Sequence, residues 1–138
     1  VPGYCMSAEY HLENKDLSPF IGLLGIEFTE VGAGVARARI EASKDRHLNM
    51  RSYLHGGVTF SLIDTCMGAA LYPMLDSAEA GVTLEIQIEY ISGMQEGLLE
   101  CIATVTRRGR SVAFLDGKVT NGGTLIAKAT GSYAIVPR

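Results

Sequence analysis

His55, Gly56, Gly57 and Asp64 share one short segment, "LHGGVTFSLIDT", in a chain of 138 residues. A carboxylate set in an apolar run needs a partner or a job, because an unpaired buried charge costs several kcal/mol. Asp64 is therefore a candidate catalytic group, with a structural hydrogen bond across a subunit interface as the alternative. The two glycines stand where a polar loop meets an apolar periodic stretch, so the first amides of a helix are free there and carry the positive end of its dipole. Glycine lets a carbonyl approach the backbone, which makes the Gly56 amide a candidate oxyanion donor and Gly57 a candidate substrate contact. A plain glycine-rich helix entry capped by His55 is the alternative.

Distance constrains the chemistry. Gly56 and Asp64 are eight positions apart, about 12 Å along a helix, too far for both to touch one reacting carbon. If two such helices ran antiparallel across a two-fold axis, the Gly56 end of one would meet Asp64 of the other. Catalysis here predicts at least a homodimer.

The elements that must position these groups are legible in the pattern. From Gly57 to about Leu75 apolar residues recur at nearly every turn, including Val58, Leu62, Ile63, Met67, Ala70, Leu71 and Met74. This predicts one long helix, apolar almost all round and buried in something larger than a single neighbour, ending near Pro73. Ahead of it, "LSPFIGLL" within residues 8 to 24 predicts a short helix with Ser18 before Pro19. "GIEFTEV" and "GVARARIEA" predict a hairpin through Gly32 and Gly34. After Gly81 the period becomes two, and "VTLEIQIEYI", "LLECIATVTRRG", "RSVAFLDGKVTNGG" and "TLIAKATGSYAIV" predict four successive strands in an antiparallel meander. The fold class is α+β: a sheet of about six strands curled around one long helix, in a single domain covering 1–138.

Composition bounds the partners. A net charge of −3 and a pI of about 5.6 supply no general field for nucleic acid. No segment reaches the roughly 18 to 20 consecutive apolar residues of a membrane span. Cys5, Cys66 and Cys101 are odd in number and lack C-x-x-C spacing, which predicts free thiols in a reducing compartment and a cytoplasmic location. The sequence begins at Val1 without a basic-then-apolar leader pattern, so export is not indicated. His11 and His47 lack partners at ligand spacing, so no metal is expected. Arg107, Arg108 and Arg110 around Gly109, with Ser111, form the densest basic group, suited to phosphates or to an ordinary solvated turn.

The pattern N-x5-HGG-x6-D followed by Thr, with "VTLEIQIEYI" and "RRGRS" beyond it, resembles the hotdog-fold acyl-CoA thioesterases, and most of all the phenylacetate-pathway (PaaI-like) branch. The resemblance runs from about Gly22 to Val136. It implies a hotdog fold and hydrolysis of acyl-CoA thioesters, with Asp64 as nucleophile or general base and the Gly56 amide polarising the thioester carbonyl. It implies that Asn49 and His55 bond near the thioester or the attacking water, and that Thr65 belongs to the catalytic set. Arg108, Gly109, Arg110 and Ser111 would contact coenzyme A, while Val82, Thr83, Leu84, Phe60, Ser61 and Met67 would line the acyl group. No cofactor is needed beyond the coenzyme A of the substrate, and a homotetramer built from dimers is expected. Gly68 stands where some relatives carry a Ser or Thr one turn beyond the carboxylate. Ser52 replaces a glycine often found three residues before the histidine, and "YISGMQEG" replaces a strand end that usually reads Arg-Pro. A non-catalytic acyl-CoA binding module and a hydratase or dehydratase of the same fold are the competing readings.

Overall fold

The computed structural model describes residues 18–138. In chain order its elements are helix α1 (Pro19–Leu24), strands β1 (Glu27–Gly32) and β2 (Val35–Ala42), and helix α2 (Gly56–Leu71), continued by a 3-10 turn over Tyr72–Met74. Strands β3 (Glu79–Tyr90), β4 (Gly97–Arg108), β5 (Val112–Asn121) and β6 (Thr124–Pro137) complete the chain. The six strands form one antiparallel sheet in the order β1-β2-β4-β5-β6-β3. One long helix packed on a six-stranded sheet is the α+β hotdog arrangement expected.

The meander needs a correction. β4, β5 and β6 are consecutive neighbours, but β3 pairs with β6 and stands at an edge of the sheet. Alternation shows that a strand exists and which face it buries, but carries no information on its partner. The register brings Thr83 opposite Tyr133, and a bulge then leaves Leu84 as an extra residue before Glu85 pairs with Ser132.

Helix α2 buries Val58, Thr59, Leu62, Ile63, Cys66, Met67 and Ala69 to Leu71 against the sheet. Its contact with β5 and β6 depends on missing side chains: a Cβ on Gly117 would lie 3.1 Å from Met67 Cε, and one on Gly131 2.9 Å from Met67 Sδ. Met67, fully buried there, belongs to the core, which corrects its expected place on the acyl wall. The helix is not covered on every side. Gly57 is exposed, and Ser61, Asp64, Thr65 and Gly68 are only half-buried, along one strip. Pro73 marks the change from α to 3-10 geometry, as its missing N–H requires.

Before α2, a compact loop is fixed from inside. Asn49 Oδ1 accepts from the amides of Arg51 (2.8 Å) and Tyr53 (3.1 Å), and Leu48 bridges Leu54. His47 is almost wholly buried; its Nδ1 accepts from the Ser43 amide (3.0 Å) and its Nε2 lies 2.9 Å from Leu24 O. A ring that accepts at Nδ1 and donates at Nε2 is neutral, so His47 ties α1 to this loop. Cys66 and Cys101 are free and buried, with Cys66 Sγ bonded to Ala36 O at 3.3 Å. Hydrogen bonding with Cys66, together with burial, pushes the Cys101 thiol well above its usual range. Cys5 and His11 lie outside the described residues.

Candidate functional site

His55 caps helix α2: its Nδ1 accepts from the Gly57 amide at 2.8 Å. Accepting at Nδ1 leaves the neutral ring protonated at Nε2, so His55 presents a donor to the solvent-exposed side. The Gly57 amide is thereby committed to the cap. Among the described residues the Gly56 amide has no acceptor, as expected for a first-turn N–H.

Tyr90, at the end of β3, was not singled out by sequence. Its hydroxyl donates to Gly56 O at 2.9 Å, and a Cβ on Gly56 would meet the Tyr90 ring at 3.1 Å. Glycine at 56 therefore permits this close contact with the Tyr90 ring. Loss of solvation raises the Tyr90 phenol above its ordinary range.

β3 runs antiparallel to α2. Tyr90 lies by Gly56 and Thr83 by Asp64, while Gly81 lies by Leu71, close enough that a Cβ on it would sit 3.0 Å from Leu71 Cδ2. Asp64 Oδ1 accepts from Thr83 Oγ1 at 2.8 Å and from the Tyr133 hydroxyl at 2.6 Å; that hydroxyl also lies 2.9 Å from Asp64 O. Thr83 and Tyr133 meet there because they are opposite one another on neighbouring strands, with side chains on the same face. Both bonds end on one carboxylate oxygen, leaving Oδ2 outside them. Tyr133 was missed because the β3–β6 pairing that delivers it is long-range.

The other expected site residues divide. Asn49 sits in the loop before the helix with its side-chain oxygen committed to Arg51 and Tyr53, and its amide nitrogen outside those two bonds. Thr65 is half-buried beside Asp64, and a side chain at Gly68 would meet nothing within 4 Å. Ser61 Oγ bonds back to Gly57 O at 2.7 Å, and Phe60 is half-buried. Of the expected acyl wall, Thr83 reaches Asp64, while Val82 and Leu84 are 50% and 59% exposed along the sheet edge.

Arg108 is not free for phosphate. Its guanidinium pairs with Glu79 and donates to Met74 O (3.3 Å) and Gly109 O (2.8 Å), joining the end of β4 to the turn after α2 and the start of β3. This arginine holds Glu79 below the usual carboxylate range, helped by the Asp76 amide. Arg107, Arg110 and Ser111 remain exposed around Gly109, where a Cβ would lie 2.7 Å from Val112 O. A depression of about 630 Å³ lined by Gln87, Glu89, Lys118 and Lys128 opens on the opposite sheet face and touches none of these residues.

Comparison with known proteins agrees with this architecture. The family described as "Thioesterase superfamily" matches residues 52–128. A candidate esterase of Saccharolobus solfataricus is 27% identical over 140 residues, covering 90% of this chain and 92% of its own. The 1,4-dihydroxy-2-naphthoyl-CoA hydrolase of Listeria monocytogenes is 28% identical over 98 residues, 71% of this chain and 79% of its own. The phenylacetic acid degradation protein PaaI of Thermus thermophilus, in the structure of a point mutant, superposes with a TM-score of 0.79 at 25% identity, covering 85% of this chain and 98% of that one. Relatives named for an activity are esterases and hydrolases, which supports a hydrolase here. With the HGG entry, the half-covered helix carrying Asp64 and the six-stranded hotdog sheet, the chain belongs to the thioesterase superfamily.

Proposed function

We propose that this protein hydrolyses acyl-CoA thioesters to a free acid and coenzyme A. The observation that carries the reading is Asp64: a carboxylate held by Thr83 and Tyr133 at one oxygen, on the uncovered strip of a buried helix whose free Gly56 amide lies one half-site away. In the reaction, Asp64 either attacks the thioester carbonyl, releasing the thiolate and forming an anhydride that water cleaves, or takes a proton from a water that attacks directly. The Gly56 amide stabilises the oxyanion. Asn49 and His55 donate near the thioester, and Thr65 lines the same strip. The CoA-hydrolase activity named for the Listeria relative supports the choice of thioester.

The length of α2 supports a site shared by two copies, Asp64 from one and Asn49, His55 and Gly56 from the other. β3 is an edge strand whose residues Gly81 to Glu85 are all exposed, an unpaired edge suited to a second copy. A tetramer of two such dimers is part of the same proposal. Arg107, Arg110 and Ser111 are the groups left to receive the nucleotide phosphates, with Arg108 bracing the turn from behind. No metal or cofactor beyond the substrate's coenzyme A is invoked. The free, buried Cys66 and Cys101 support a reducing, cytoplasmic setting, and among the described residues no helix is long and apolar enough to cross a membrane.

The test is release of free coenzyme A from a panel of aromatic, branched and straight-chain acyl-CoAs by wild type and Asp64→Asn. Wild type should turn over part of the panel, and the variant should lose about a thousandfold or more in kcat. Binding without turnover by wild type would make the chain an acyl-CoA binding module instead, and an active Asp64→Asn would remove Asp64 from the chemistry.

A further inference from the structure

Both side-chain donors to Asp64 fall on the same oxygen. Thr83 Oγ1 is 2.8 Å and the Tyr133 hydroxyl 2.6 Å from Oδ1, and Tyr133 is itself only 3% exposed. The last torsion of an aspartate is broad and nearly two-fold, so a carboxylate held at one point can turn and exchange its oxygens. Two donors converging on Oδ1 from neighbouring strands remove that freedom. They also leave Oδ2 with its lone pairs unengaged by either hydroxyl. We infer that Tyr133 is a positioning residue: with Thr83 it pins Oδ1, so that Asp64 reacts through Oδ2. This rests on the reading that Asp64 performs the thioester chemistry.

The geometry suits either form of that chemistry. If Oδ2 takes a proton from water, Oδ1 becomes the carbonyl oxygen of a carboxylic acid and still accepts both hydrogen bonds. If Oδ2 forms the bond to the acyl carbon as the thiolate leaves, Oδ1 is again a carbonyl oxygen with the same two donors. Neither hydroxyl loses its acceptor along either path, so the clamp persists through turnover without rearranging. The Tyr133 hydroxyl has one proton to give; the shorter contact directs it to Oδ1, with Asp64 O at 2.9 Å sharing it at most as a bifurcated acceptor. A simple helix-to-sheet staple would need only that backbone contact.

Four variants decide the matter: Tyr133→Phe, Thr83→Val, Thr83→Ser and Asp64→Asn, assayed in the full chain well below each melting temperature. Loss of orientation at reacting distance lowers the chemical step by about tenfold to a hundredfold, so Tyr133→Phe and Thr83→Val should each lower kcat by that factor, with KM within about twofold of wild type. Thr83→Ser, which keeps the donor, should recover most of what Thr83→Val loses. Wild-type kcat in Tyr133→Phe, or a raised KM at unchanged kcat, overturns the proposal while an inactive Asp64→Asn leaves the reading of Asp64 intact. An active Asp64→Asn overturns that reading itself. If Tyr133→Phe fails to fold, the Thr83 pair decides, and a fully active Thr83→Val refutes the clamp.

Discussion

Ser52 adopts a left-handed backbone conformation, with φ of 64°, inside the loop that Asn49 holds closed. A side chain there costs roughly 1 kcal/mol relative to glycine, because its Cβ crowds the following carbonyl. A glycine at this place, which the family resemblance leads one to expect, would relieve that steric cost in this chain. Ser52→Gly should stabilise the protein by about 1 kcal/mol, read as a raised denaturant midpoint with an unchanged slope. An unchanged or lowered midpoint would show that the Ser52 side chain stabilises the loop by other means. Asn49 matters to the same loop: its oxygen organises the turn, which leaves only its amide nitrogen for any role toward a ligand.

At the scale of elements, the buried helix, the first hairpin and the alternating strands were legible because burial writes itself into the period of apolar residues. Gly56 and Asp64 were legible because glycine and a carboxylate are costly in such a helix unless something requires them. Tyr133, Tyr90 and the fate of Arg108 were not. Each depends on which element lies alongside which, and the alternation in β3 would read the same beside β4 as beside β6. Arg108 shows the difference most clearly, since a guanidinium in a basic turn looks available for phosphate until Glu79, twenty-nine positions away in sequence, takes it.

That ion pair carries a pH signature. The Arg108 guanidinium holds the Glu79 carboxyl below its ordinary value, so the unfolded chain takes up its proton first as the solution is acidified. The stabilisation is present above the ordinary carboxylate range and is lost as pH falls through the lowered folded value. Glu79→Gln should therefore be less stable than wild type near neutrality, with the gap closing below about pH 4 in denaturant melts run across pH. A gap independent of pH would mean that the carboxylate charge is not what holds the turn.

For the whole molecule, the proposed reading makes the two ends of one segment halves of two different sites, because the spacing along α2 is too long for one. Asp64→Asn and Gly56→Pro protomers, each inactive alone, should regain about a quarter of wild-type activity when exchanged at equal amounts, since half the dimers are mixed and each carries one intact site. No recovery after verified exchange, or a fully active monomer, would refute the shared site. The exposed edge at Val82 and Leu84 is where the copies are expected to join.

The β3–β6 pairing also bears on the order of folding. Asp64 and the hydroxyl bonded to it are 69 residues apart, and that hydroxyl lies on β6, between β5 and β3 in the finished sheet. Contacts that close long loops come late and slowly, whereas the helix and the local hairpins can form early. A refolding chain would thus recover its helical signal well before its carboxylate is oriented, and returning activity would time the closing of the sheet.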